Sequence, residues 1–105
     1  MAQVPDRIIN LIKTFIAKAE SDKINISEAI LFGSYAKGDY NEFSDIDLAL
    51  VSENFEGLRF NDNMRLMKSV LSVSSEIETH PFTPSDFTSD NPFVKEILRT
   101  GIRII

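Results

Sequence analysis

The run Ala29-Ile30-Leu31-Phe32, halted by Gly33, restricts the folds open to this chain more than any other segment. It is too short for a helix and apolar on both alternating faces, so it reads as a buried central strand beginning at Glu28. A buried strand needs cover, and the flanking segments supply it. After Pro5, which suits a first helical turn, Ile8, Leu11, Ile12, Phe15, Ile16 and Ala19 recur at three-and-four spacing. That spacing predicts an amphipathic helix ending near Asp22.

Downstream, Ser34 to Ser44 turns to Gly, Asp, Asn and Ser with two tyrosines, as in a short helical turn followed by a loop. Ile46 to Val51 reads as a second strand. Phe60, Met64, Met67 and Leu71 form another helical stripe, which predicts that they face the core. Ser74 to His80 is a third strand with Glu76, Glu78 and His80 on one face, ended by Pro81 and Pro84. Asn91-Pro92 opens a last short helix carrying Phe93, Ile97 and Leu98, Gly101 sits where a left-handed cap belongs, and Ile102 to Ile105 adds an edge strand. Helices alternating with strands predict an α/β sheet with helices packed on one face and the other face open.

The 105 residues leave room for one domain, spanning 1–105, and one modest core. A net charge of -5 argues against extensive nucleic-acid binding, which needs clustered Lys and Arg. The absence of cysteine removes disulfides, thiolate catalysis and cysteine-type zinc sites. The start, Met1 to Asp6, has no basic segment leading into an apolar stretch, and no apolar run approaches the roughly 18 residues of a membrane span. A soluble, cytoplasmic protein is expected, with no membrane association.

The chemistry lies between Leu31 and Leu50. Asp45 and Asp47 stand two apart at the start of a strand, so both carboxylates project from one face while Ile46, Leu48 and Leu50 point into the core. Adjacent like charges must be compensated by a cation, by shared protons or by water. Mg²⁺ takes one or two protein carboxylates and completes its octahedron with substrate phosphates. A glycine at a strand end lets backbone approach a phosphate, and N–H groups at the following helix start can donate to it, which marks Gly33 and Ser34. The bland alternative for a lone Asp-x-Asp is a solvated strand entrance. Tyr35 and Tyr40 read either as pocket lining or as packing, and His80, before a proline, reads as a surface or edge residue.

Gly33-Ser34, ten residues, then Asp45-x-Asp47, with Ala36-Lys37-Gly38 between, closely resembles the minimal nucleotidyltransferases of the DNA polymerase β-like superfamily. The helix ahead of the motif, the Ile77-Glu78 strand and the closing Glu96 to Ile104 resemble it too, so nearly the whole chain is covered. The resemblance implies a mixed sheet with helices on one side, ATP or another nucleotide held at Gly33, Ser34 and Lys37, and catalytic metals, two Mg²⁺ ions, bound by Asp45 and Asp47. One ion would activate the acceptor hydroxyl and the other would hold the triphosphate and the leaving pyrophosphate. The family's third carboxylate, normally an aspartate, corresponds to Glu78, with Glu76 as the fallback. The family favours arginine where this chain has Lys37.

Small members of that family sit beside a HEPN-type toxin and act as its antitoxin, some by adenylylating a tyrosine. The resemblance therefore implies transfer of AMP from ATP to a hydroxyl of such a partner. Two alternatives stay open: a nucleotide-binding module that neutralises its partner by covering it, and an antibiotic-type transferase that needs a partner subunit to hold a small acceptor.

Overall fold

The computed structural model describes residues 4–105; Met1 to Gln3, part of the start read above, lie outside them. The chain runs α1 (Asp6–Ser21), β1 (Glu28–Phe32), α2 (Ser34–Lys37), β2 (Ile46–Val51), α3 (Arg59–Val73), β3 (Ile77–Phe82), α4 (Pro92–Thr100) and β4 (Ile102–Arg103). The strands form one mixed sheet in the order β3-β2-β1-β4. β1 is antiparallel to both β2 and β4, and β2 is parallel to β3, with α3 as the crossover. No described helix is long and apolar enough to cross a membrane.

Alternation along β2 decides what each face carries. Ile46, Leu48 and Leu50 join Ala29, Leu31 and Ile77 beneath Ile8, Ile12, Phe15 and Ile16 of α1 and Leu66 of α3 in the main core. Each large aliphatic or aromatic side chain buried there contributes about 1.5–3 kcal/mol. Asp47 falls on the opposite face. α4 reaches that opposite face as well, where Ile97 packs with Ile30 and Ala49 and is bordered by Phe32, Phe82 and Phe87. The two long helices thus share one face, α4 occupies part of the other, and Asp47 and Glu78 lie beside that smaller cluster.

Three details depart from the expectations. The stripe Phe60, Met64, Met67 and Leu71 is exposed, with 75% of Phe60 and 69% of Leu71 accessible. α3 instead buries Asp62, Leu66 and Ser69 and half-buries Val70 and Val73. Polar bonds set this rotation: Asp62 accepts from the backbone N–H groups of Glu56 (2.9 Å) and Gly57 (3.0 Å), and Ser69 donates to Asp22 (2.9 Å). Satisfied in this way, polar side chains are buried at little cost, and they fix which face turns inward.

β3 also begins later and runs through Pro81, which pairs in register with Leu50. β3 is an edge strand, and an edge tolerates a residue without an N–H. Gly101 is extended (φ -80°, ψ 166°) rather than left-handed. Its need for glycine comes from crowding, since a Cβ there would collide with Ile30 and the carbonyl of Ile97.

Candidate active site

Gly33 ends β1 and caps the single turn of α2 with φ 75° and ψ -150°, a conformation essentially reserved for glycine. The chain can turn there because no Cβ is present. The space a Cβ would fill is taken by the carboxylate of Asp47, opposite Phe32 in the antiparallel register. Gly33 and Asp47 therefore face each other across one turn. Ser34 follows, half-buried, as the first residue of α2.

On the other side of β2, Asp47 is in register with Glu78 of β3. Parallel neighbours in register project to the same face, which brings the two carboxyl groups together. The Glu78 carboxyl is pushed above its ordinary value of 4.5 by burial, by the charge of Asp47 and a hydrogen bond with it, and by the charge of Asp45. Glu78 therefore keeps a proton to higher pH than an isolated glutamate does. Such a rise is expected where carboxylates crowd together without compensating charge.

His80 lies two residues beyond Glu78 on the same strand face. An oxygen of Asp47, an oxygen of Glu78 and a ring nitrogen of His80 all lie within 4.8 Å of one another. The oxygen-rich set suits a hard divalent cation, whose charge would offset the repulsion between the carboxylates. Asp45, exposed and just ahead of β2, stands outside this trio but close enough for its charge to act on Glu78. Lys37 is exposed at the end of α2, and its charge is felt by Glu96 on α4.

Glu76 is not beside Glu78. It sits in the turn before β3 and pairs with Arg7 of α1 at 3.2 Å. Tyr35 is buried in the main core and stacks on Tyr40 with centroids 4.6 Å apart, so the pair is packing.

His80 lies on the edge strand but not at the surface: 8% of it is exposed. Its Nε2 lies 3.3 Å from Asp47 Oδ1, and its Nδ1 lies 3.0 Å from Arg59 Nη2. Sequence reasoning set His80 on the correct face and misjudged its burial, because Phe32 and Phe93, which flank its ring, come from other elements. Nothing near Arg59 in the sequence marks it. Arg59 also lines two open grooves: one of about 330 Å³ between α3 and β3, with Met67, Leu71, Ile77 and Glu78, and one of about 500 Å³ beyond the end of β3, with Phe82 and Asp86.

Residues 10–105 match the family described as polymerase beta, nucleotidyltransferase. Two proteins of Methanocaldococcus jannaschii, both named provisionally as protein adenylyltransferases, are similar across nearly the whole chain. One is 31% identical, covering 92% of this chain and 98% of the relative, and the other is 35% identical, covering 91% and 69%. Among solved structures, a provisionally assigned nucleotidyltransferase from Sulfolobus solfataricus shares the fold, with a TM-score of 0.67 at 18% identity over 92% of this chain and 78% of that one. A family match over almost the full length, on a sheet where a carboxylate pair faces a glycine turn, leads to one conclusion: the chain belongs to the polymerase beta nucleotidyltransferase family.

Proposed function

We propose that this nucleotidyltransferase moves AMP from ATP to a hydroxyl of a partner protein, a tyrosine of a HEPN-type toxin, and so acts as that toxin's antitoxin in the cytoplasm. The observation that carries the reading is the position of Asp47, side by side with Glu78 and across a single turn from Gly33. The names of the archaeal relatives support a protein as acceptor.

In this reading Gly33, Ser34 and Lys37 hold the triphosphate, and Asp45, Asp47 and Glu78 hold the metal, two Mg²⁺ ions in full. Bound metal supplies neutralisation of phosphate charge and a lowered pKa for the acceptor hydroxyl. The acceptor oxygen forms a bond to the α-phosphorus while the bond from that phosphorus to the bridging oxygen breaks. Pyrophosphate leaves with the electron pair, and the hydroxyl proton passes to a site carboxylate or to water. The chain's own contribution is positioning and charge compensation, the main needs of such a transfer.

The test incubates purified chain with ATP, Mg²⁺ and the neighbouring toxin. One AMP added to the folded toxin, and no addition with Asp47→Asn, is expected. A second reading, neutralisation by covering alone, is favoured by the glutamate at position 78, one methylene longer than the family's usual aspartate. It predicts that Asp47→Asn still neutralises the toxin, whereas the enzymatic reading predicts that neutralisation is lost.

A further inference from the structure

The geometry points to His80 and Arg59 as a buttress that sets the orientation of Asp47, with His80 a positioning residue and not the third ligand of the carboxylate cluster. The inference rests on the reading that Asp47 holds the metal.

Arg59 fixes the argument. A guanidinium carries five N–H donors and no acceptor, so it can approach a ring nitrogen only where that nitrogen offers a lone pair. Arg59 Nη2 stands 3.0 Å from His80 Nδ1. Nδ1 is therefore the acceptor, and the ring proton sits on Nε2. That nitrogen faces Asp47 Oδ1 at 3.3 Å and donates to it. A nitrogen bearing a proton has no lone pair for a cation. His80 thus reaches the cluster within 4.8 Å of both carboxylates, yet it does so as a hydrogen-bond donor.

The ring itself is held in place. Phe32 and Phe93 meet it edge-on at centroid distances of 4.9 and 5.9 Å, and only 8% of His80 is exposed. Asp47 is consequently gripped on both oxygens, Oδ1 by the imidazole and Oδ2 against Gly33, where only the missing Cβ leaves room. Arg59, the first residue of α3, supplies a positive charge one ring away from the carboxylate without touching it. A carboxylate pre-set in this way does not have to give up rotamer freedom when a cation arrives. Outer-shell partners of this kind typically change metal affinity by roughly 10–100-fold.

The test uses the full chain and Mn²⁺ as the probe, with free Mn²⁺ read by electron paramagnetic resonance. His80→Ala and Arg59→Met are each expected to weaken binding, by roughly 10–100-fold for His80→Ala. The double variant should bind no worse than His80→Ala, since the two residues act in series. His80→Gln, whose amide can place an N–H near the position of Nε2, should restore most of the affinity. Pulsed resonance of bound Mn²⁺ should show no directly coordinated nitrogen. A coordinated ¹⁴N signal that disappears in His80→Ala would overturn the inference by making His80 a ligand. Unchanged affinity in Arg59→Met, which alters an exposed residue and keeps the test intact if His80→Ala does not fold, would overturn it as well. Wild type that binds no Mn²⁺ would instead remove the underlying metal reading, and the inference with it.

Discussion

Gly33 and Asp47 occupy one another's space: a Cβ on the glycine would lie less than 3.0 Å from the Asp47 carboxylate. The turn that ends the first strand and the carboxylate that begins the second are therefore a single device. A side chain at position 33 would have to displace that carboxylate.

Gly33→Ala should accordingly damage both fold and site. The side chain would be forced into φ 75°, ψ -150°, a region costing about 1–3 kcal/mol for other residues, and would displace Asp47. Thermal unfolding should fall by about 4–8 °C for each kcal/mol lost. A Mn²⁺ titration of the folded fraction should show weakened binding. An alanine variant with wild-type melting and wild-type affinity would contradict the mutual packing.

The Asp47–Glu78 pair predicts a pH dependence of definite sign. Because the fold raises the Glu78 pKa above 4.5, the folded metal-free chain binds this proton more tightly than the unfolded chain. The stability this group contributes is present below 4.5 and is lost as pH rises through the folded value. Divalent metal competes with the same proton, so its affinity should fall as pH drops through that value. Melting curves of wild type minus Glu78→Gln, with and without Mg²⁺, check both signs.

The exposed face of α3 predicts an asymmetry that helical periodicity alone reverses. Phe60→Ser and Leu71→Ser should change unfolding free energy by no more than about 0.5 kcal/mol, since both side chains are largely solvated. Leu66→Ala, which truncates a side chain with no exposure, should cost about 2–5 kcal/mol. Urea denaturation of the three variants gives the comparison directly.

Asp62 should matter for stability although it carries no chemistry. It is buried and accepts two backbone N–H bonds from the segment entering α3. Asp62→Ala leaves those donors unpaired and should cost about 1–3 kcal/mol. Denaturant unfolding measures the loss, and hydrogen exchange at Glu56 and Gly57 should accelerate. Exchange rates identical to wild type would show that another acceptor takes over.

Much of this architecture is legible in the linear chain. The periodicity of Ile8 to Ala19, the apolar run ended by Gly33, and the alternation after Asp45 each specify an element through contacts only a few residues apart, and α1, β1 and β2 follow. The stripe on α3 was misleading for a physical reason. Spacing identifies rows of side chains, but a helix with apolar residues on two faces turns inward the face whose polar members find partners, and those partners, Glu56, Gly57 and Asp22, lie elsewhere in the chain. β3 likewise slid past its expected end, because only a sheet order that leaves it at the edge makes Pro81 acceptable.

The same division runs through the site. Strand alternation, a local rule, sufficed to turn Asp47 away from the core face of Ile46, Leu48 and Leu50. Its link to the glycine turn came from the family resemblance and is made by the β1–β2 pairing. Tertiary structure decided which glutamate stands beside that aspartate, choosing Glu78 by parallel register and sending Glu76 to Arg7. It also brought Arg59 to His80 and His80 to Asp47 across separations of 21 and 33 residues. Hydrogen bonds reach only about 3 Å, so partners that far apart in sequence become partners only once the chain has closed around its core.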